Sequence, residues 1–163
     1  MTLSDVIKTA IAPALAILPS AMDTKEARVM LLSIGLQESR FMSRRQIGGP
    51  ARGSWQFEEG TKQTCGGVWG VYLHDASRYW LDRLCASRGV LFQPDAIYRA
   101  LEGDDVLAAG LARLMLFTDP KRLPAVTDAD GAWSLYLRTW RPGKPRRDSW
   151  NALHEQARTE VTT

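Results

Sequence analysis

Glu38 is the residue of this sequence whose surroundings best suit acid–base chemistry. It lies near the end of a strongly apolar helical run, and at helical spacing Leu31, Ile34 and Phe41 fall on the same side as its carboxyl group. A carboxyl group among apolar side chains loses hydration in its charged form, so its pKa should rise, as a general acid near neutral pH requires. The alternative is a boundary glutamate whose carboxylate reaches water or pairs with a neighbouring arginine, which is the commoner situation in proteins.

The helix that carries Glu38 is predicted to begin at Asp23 or Thr24 and to end near Arg40, with a capping-box spacing at its start. The segment 43–71 is too rich in glycine, and too broken by proline, for a helix, and this predicts a small β-hairpin or irregular insert. Its second glycine cluster, residues 65–71, is predicted to be a loop. Later apolar periods predict helices over 76–88, 94–101, 104–117, 128–140 and about 148–160.

The N-terminal segment allows two interpretations. Residues 4–18 follow a helical period, with Ser4 as a cap and a break or kink predicted at Pro13. The apolar run 9–21 also has the length and the small-residue end of a signal peptide, but Asp5 weakens the positive charge that precedes it. We therefore expect a first helix that stays in the fold, and no run is long enough to predict a transmembrane helix.

Length and composition limit the possible classes of protein. The 163 residues suffice for one domain with a sizeable core and are too few for two. The net charge of +3 suits an acidic polymer, either a bacterial wall or nucleic acid, and is too weak to choose between them. Six tryptophans are many for this length, and such rings build cores or line sugar-binding clefts. We predict a mainly α single domain over 1–163.

The sequence predicts neither a metal site nor a cofactor. His74 and His154 are far apart, and neither lies near a Cys-x-x-Cys pattern. Cys65 and Cys85 allow one disulfide, and the sequence leaves open whether they pair.

Glu38 is followed by Ser39 and, after a loop, by Gly53-Ser54-Trp55-Gln56. This order resembles the lysozyme-like lytic transglycosylases that cleave bacterial peptidoglycan, which have a Glu-Ser pair at the end of a long helix and then a Gly-x-x-Gln motif. The wider run 37–58 resembles phage-encoded, virion-associated members in particular. The resemblance covers about residues 28–74, and elsewhere only the number of helices fits.

The third motif of that family, usually Ala-Tyr-Asn, is present only in part. Tyr136 on a late predicted helix is the candidate for the family tyrosine that contacts the catalytic glutamate or the sugar, and no asparagine follows it. The alternative for Tyr136 is plain core packing beside Trp133 and Trp140. Because the family asparagine is missing, the resemblance defines the substrate-binding residues less well than it defines the role of the glutamate.

The resemblance implies a lysozyme-like fold and a peptidoglycan lytic transglycosylase activity. Glu38 would protonate the glycosidic oxygen between N-acetylmuramic acid and N-acetylglucosamine, and would then act as base while a 1,6-anhydromuramic end forms. It also implies glycan strands as the substrate, no cofactor, and other phage virion or tail proteins as partners. The expected location is a phage virion, or the bacterial periplasm or cell wall after delivery.

Four further residues have supporting roles in this interpretation. Ser39 is a candidate to hold Glu38, or bonds only its own helix backbone. Gln56 is a candidate to orient Glu38 or bind an N-acetyl group, and Gly53 to let the backbone approach a sugar or to make a turn. Trp55 would stack on the glycan or anchor the insert to the core, and we favour the anchor.

Three rival functions remain open. A hydrolytic muramidase would use Glu58 or Glu59 as a second carboxylate facing Glu38, although both could simply be solvated. A non-catalytic virion or wall-binding protein could keep the same fold. A nucleic-acid binder would use the basic residues within 138–147, but these lack interleaved stacking aromatics and could equally meet wall carboxylates or form a solvated surface.

Overall fold

The computed structural model describes residues 1–163, and they form a mainly helical protein with almost no β-structure. The longest connection between helices, residues 40–66, contains most of the insert and lies between the third and the fourth helix. They are α1 (Leu3–Val6), α2 (Ala12–Ile17), α3 (Lys25–Ser39), α4 (Gly67–Leu73), α5 (Asp75–Arg88), α6 (Pro94–Ala100), α7 (Asp105–Phe117), α8 (Ala129–Trp140) and α9 (Arg147–Thr162). A π-helical segment, Ile7–Ile11, joins α1 to α2, and a 3₁₀ turn, Ser20–Met22, precedes α3.

The prediction of a mainly α protein is confirmed, and so are the later helices to within a few residues. Helix α5 ends where Gly89 adopts a left-handed conformation, with φ +67°. The side chains of Asp104 and Asp128 cap α7 and α8 by accepting hydrogen bonds from backbone N–H groups. Helix α3 is capped by Thr24, one of the two residues predicted.

The N-terminal helix differs from the prediction in its cap and at its proline. Thr2, not Ser4, is the cap, and it forms a capping box with Asp5. The helix does not break at Pro13. Instead its hydrogen bonding widens to a π-helix over Ile7–Ile11, and a wider turn relieves the clash between a proline ring and the carbonyl group one turn before it.

The glycine cluster 65–71 was predicted as a loop, and this is wrong from Gly67 onward, where α4 begins. The N–H groups of Val68 and Trp69 donate to the carbonyl oxygens of Glu58 and Glu59, both at 3.1 Å. These bonds satisfy donors that every helix N-terminus leaves free. The capping partners come from the insert rather than from a local side chain, so the sequence around Gly67 carries no capping signal.

Helix α3 forms the centre of the hydrophobic core. Every residue from Val29 to Leu36 is buried, as expected of a helix that is apolar on all sides. It packs most extensively against α9, and also against α7 and the N-terminal helical segment. After this buried run, Gln37, Glu38 and Ser39 form the end of α3, and each is half-buried.

The end of α3 and the start of the insert are built from residues in the left-handed region. Arg40 and Phe41 have φ values of +57° and +56°. This turn folds the Phe41 ring back over Gly35 and against the edge of Trp55, with ring centroids 5.5 Å apart. The insert itself has no strand. Its β-pairing consists of two isolated antiparallel bridges, in which Arg52 pairs with Arg45 and with Phe57.

The two cysteines do not form a disulfide. Cys65 is exposed in the insert, whereas Cys85 is buried in α5, where desolvation raises the pKa of its thiol to about 12.

None of the helices combines the length and the apolar character needed to cross a membrane.

Substituting Gly35 tests the turn at the end of α3. In an unconstrained helix, Gly→Ala stabilises by about 1 kcal/mol. Here the new Cβ would lie 2.1 Å from Cζ of the buried Phe41 ring, so we expect Gly35→Ala to lower the free energy of unfolding by about 2 kcal/mol. Urea denaturation measures the change. In a Phe41→Ala background the same substitution should become stabilising, and a loss of stability in both backgrounds would contradict this account.

Candidate active site

Glu38 lines a cleft of about 730 Å³, a volume within the usual range for ligand sites. The cleft lies between the end of α3, the insert, and the C-terminal part of α8 with the loop that follows it. Its lining combines a few apolar side chains with many polar ones. The residues used below are Gln37, Glu38, Gln56, Phe57, Glu58, Thr64, Tyr136, Trp140, Arg141, Lys144 and Arg146.

The environment of Glu38 favours its protonated form. Desolvation raises its pKa from 4.5 to about 7, and the nearby negative charge of Glu58 contributes in the same direction. The hydroxyl of Tyr136 donates a hydrogen bond to Glu38 Oε1 at 2.5 Å, which opposes the rise because it stabilises the carboxylate. Glu38 makes no ion pair with Arg44, which pairs with Asp105 instead.

Tyr136 combines the two roles that the sequence left open. Its ring is in the core, only 3% exposed, and stacks on Trp150 with centroids 5.3 Å apart and planes 15° apart. It also lies 5.4 Å from the ring of Trp133. Burial and the adjacent carboxylate raise the pKa of the phenol, so the hydroxyl keeps its proton and acts as a donor. The aromatic packing therefore fixes the position of the group that contacts Glu38.

The Gly-x-x-Gln segment is a β-turn. The carbonyl oxygen of Gly53 accepts hydrogen bonds from the backbone N–H of Gln56 and from its Nε2, each at 2.9 Å. Gly53 has φ +77°, and a Cβ there would lie 3.1 Å from the carbonyl oxygen of Leu101. Gln56 lines the cleft, but its amide N–H is used within the turn and does not bond Glu38.

Ser39 attaches this turn to the end of α3. Its Oγ lies 2.6 Å from the carbonyl oxygen of Ser54, to which it donates, and it accepts a bond from the N–H of Phe41 at 3.1 Å. It also lies 3.3 Å from the carbonyl oxygen of Gly35 in its own helix. Ser39 thus fixes the backbone around Glu38 and does not contact the carboxyl group.

Trp55 is an anchor and not a sugar platform. Its side chain is 0% exposed, and its Nε1 donates to the carbonyl oxygen of Leu31 in α3 at 2.8 Å. Its own carbonyl oxygen accepts a bond from Trp140 Nε1 at 2.9 Å. Trp55 therefore connects the insert to α3 and α8.

The two candidate second carboxylates are separated by the structure. Glu58 is exposed, lines the cleft, and acts electrostatically on Glu38. Glu59 is not part of the cleft lining.

Several cleft residues were not identified from the sequence. Trp140 lies four positions after Tyr136 on α8, and this spacing could have placed it on the same side of the helix. The basic residues of the loop 141–146 were noted in the sequence, but nothing in the sequence placed this loop at the cleft. It reaches the cleft because Gln37 Nε2 donates to the carbonyl oxygen of Arg146 at 3.0 Å, a contact between distant parts of the chain.

The site contains one carboxyl group able to donate and accept a proton near neutral pH, in an open cleft with polar walls. No group of three or more His, Cys, Asp or Glu residues is arranged to hold a metal ion.

No family model, curated protein or solved structure matches this chain.

The raised pKa of Glu38 predicts a pH-dependent effect of Glu38→Gln on stability. A carboxyl group with pKa 4.5 in the unfolded chain and about 7 in the folded protein favours folding while it is protonated. Its contribution is fully present below pH 4.5 and is lost as the pH rises to about 7. Glutamine keeps an acceptor for Tyr136 and cannot ionise, so Glu38→Gln should be more stable than wild type at pH 8, by up to about 3 kcal/mol. Urea unfolding from pH 4 to 8 measures this, and a difference independent of pH would contradict it.

Two neighbours should move the pKa of Glu38 in opposite directions. Tyr136→Phe removes a hydrogen bond to the carboxylate and should raise this pKa, whereas Glu58→Gln removes a nearby negative charge and should lower it. Carboxyl ¹³C NMR titration of Glu38 measures both shifts. Glu59→Gln is the matched control and should have the smaller effect, because Glu59 lies outside the cleft lining. Shifts of the same sign would refute this description of the site.

Proposed function

We propose that this protein is a lysozyme-like peptidoglycan lytic transglycosylase with Glu38 as its single acid–base catalyst. The observation that carries the proposal is the state of Glu38, a half-buried carboxyl group with a pKa of about 7 that faces an open cleft and is hydrogen-bonded to Tyr136. A group with this pKa has both protonation states well populated at neutral pH. A reaction that uses the same group first as acid and then as base needs both states.

The meeting of three motifs in space supports the proposal. The Glu38-Ser39 pair ends α3, the Gly53–Gln56 turn is bonded to it through Ser39, and Tyr136 reaches it from α8. These elements are far apart in the chain, and their order matches that of the family that the sequence resembles. The missing asparagine leaves the chemistry of Glu38 unaffected, since Tyr136 supplies the contact to the carboxyl group.

The proposed reaction has two proton transfers. Protonated Glu38 gives its proton to the glycosidic oxygen as the bond from that oxygen to C1 of N-acetylmuramic acid breaks. The resulting carboxylate then takes the proton of the C6 hydroxyl while O6 bonds to C1. Glu38 ends protonated, as it began, and no water is consumed. The Tyr136 hydroxyl stabilises the carboxylate formed between the two steps.

The cleft supplies binding groups for such a substrate. Because Gln56 Nε2 donates to Gly53, its Oε1 is left as an acceptor toward the cleft, suitable for the N–H of an N-acetyl group. Trp140 is part of the cleft wall and is held by its bond to Trp55, which suits contact with a sugar ring.

A hydrolytic muramidase is the second candidate. The observation that favours it is the position of Glu58 in the same cleft, with an electrostatic effect on Glu38. In that mechanism Glu58 would act as the base or nucleophile opposite the acid. Glu59 is no longer a candidate for this role, because it does not line the cleft.

A purely binding protein is less well supported. Keeping a carboxyl group desolvated with a pKa near 7 destabilises the folded state at neutral pH, and a binding role does not require this cost. We also propose that the protein acts locally on the wall during phage infection, as a virion component that contacts other virion proteins. This last proposal rests only on the resemblance of residues 37–58.

The test is mass spectrometry of fragments released from purified peptidoglycan, with Glu38→Gln as the control. We expect fragments ending in 1,6-anhydromuramic acid, lighter by one water than hydrolytic products, and a loss of activity of at least about 100-fold in the variant. Circular dichroism should show that Glu38→Gln stays folded.

The other outcomes separate the candidates. Reducing ends would contradict transglycosylation and favour the hydrolase, and Glu58→Gln should then abolish activity. Absence of Glu38-dependent fragments from several wall types would refute both enzymatic proposals.

A further inference from the structure

One rim of the cleft carries unpaired positive charge. Arg141, Lys144 and Arg146 line the cleft, are exposed, and have no carboxylate partner. We call these three residues the basic rim. Neighbouring arginines behave differently, since Arg138 pairs with Asp119 and Arg147 pairs with Asp130. The three positive charges that line the cleft therefore have no ion pair, whereas the two arginines just outside it do.

The basic rim is held in place relative to Glu38. At one end the carbonyl oxygen of Arg146 accepts a hydrogen bond from the side-chain Nε2 of Gln37, the residue before Glu38. The side-chain oxygen of Gln37, Oε1, in turn accepts a hydrogen bond from Ser149 Oγ at 3.1 Å. At the other end Arg141 Nη1 donates to the carbonyl oxygen of Thr64 at 3.0 Å, joining the rim to the insert. The backbone that carries these charges is therefore held beside the catalytic carboxyl group.

The charge of the rim selects for an anion. The same cleft holds the carboxyl groups of Glu38 and Glu58, and Glu38 is only partly ionised at neutral pH. The sugar rings and N-acetyl groups of a glycan strand carry no charge and do not need three cations. In peptide-bearing peptidoglycan the negative charges are the carboxylates of the peptide stem, because the lactyl carboxyl group of muramic acid is used in the amide bond to that stem. Guanidinium and ammonium groups bind carboxylates strongly.

We propose that the basic rim binds carboxylates of the peptide stem, so that the protein prefers peptide-bearing glycan to peptide-free glycan. This inference rests on the proposed function, because it takes the cleft to be the glycan site. Three cations in one cleft suit a stem with several carboxylates better than the single lactyl carboxylate of a muramic acid without peptide.

Lys144 and Arg146 are the residues to change, because neither side chain makes a hydrogen bond or an ion pair whose loss could unfold the loop. Arg141 is left intact because it bonds Thr64. The control is Lys121→Ala with Arg122→Ala, which removes the same charge from two exposed residues that are outside the cleft and have no carboxylate partner.

The experiment compares kcat/KM on soluble glycan strands with and without peptide stems, the second prepared by amidase digestion. We expect wild type and the control to prefer peptide-bearing strands about tenfold, as two or three exposed charge pairs would give. Lys144→Ala with Arg146→Ala should bring this ratio close to one. Added salt should lower the wild-type ratio and leave that of the rim variant unchanged.

Three results would overturn the inference. They are a wild-type ratio near one, an equal effect of the control variant, and a loss that is equal on both substrates or larger on peptide-free strands. A larger loss on peptide-free strands would indicate the lactyl carboxylate that amidase digestion frees. Calorimetry with the Glu38→Gln variant measures the affinity for both kinds of strand without cleavage, so stem binding is tested separately from catalysis. If peptide-bearing strands bind through the basic rim but wild type cleaves nothing, stem binding is supported and the proposed reaction is refuted. If wild type cleaves both strands without preference, the reaction is supported and stem binding is refuted.

Discussion

The abrupt end of helix α3 is the constraint on which the site depends. Two successive non-glycine residues, Arg40 and Phe41, adopt left-handed conformations that cost about 1–2 kcal/mol each. This cost is offset where the chain turns back, because the Phe41 ring packs on Gly35 and Trp55 and the Ser39 hydroxyl bonds the turn that carries Trp55. Gly35 lacks the side chain that would block the ring. The result is a helix whose last turn, with Glu38, stops at the boundary between core and cleft.

The position of Glu38 at this boundary accounts for its chemistry. Two residues earlier in the helix, Leu36 is buried almost completely, and two residues later Arg40 is exposed. Between these limits the carboxyl group loses enough water to raise its pKa, yet still faces the cleft. Tyr136 moderates the shift with one hydrogen bond, and its own position is fixed by stacking on Trp150. Core packing and proton affinity are thus coupled through one aromatic side chain.

The cleft is assembled from parts that stabilise each other. The carbonyl oxygens of Glu58 and Glu59 complete the N-terminus of α4, and Trp140 bonds the backbone of Trp55 from the opposite wall. Gln37 holds the loop after α8 beside Glu38. The acidic group is therefore at the end of the core helix, while the unpaired positive charges are on the neighbouring loop 141–146. This separation of charge suits a substrate with a neutral backbone and anionic branches.

The sequence by itself determined the helix that carries Glu38, the five later helices α5 to α9, and Glu38 as the acid–base candidate, because periodicity and apolar surroundings are local properties of the chain. It could not decide whether Tyr136 contacts Glu38, whether Trp55 is an anchor, or which of Glu58 and Glu59 lies in the cleft. It mispredicted the start of α4, and it identified the basic residues within 138–147 without showing that three of them line the cleft. Each of these depends on contacts between residues distant in the chain, such as Gln37 with Arg146 and Tyr136 with Glu38. Only the tertiary structure sets the burial, hydrogen bonding and charge that those contacts create.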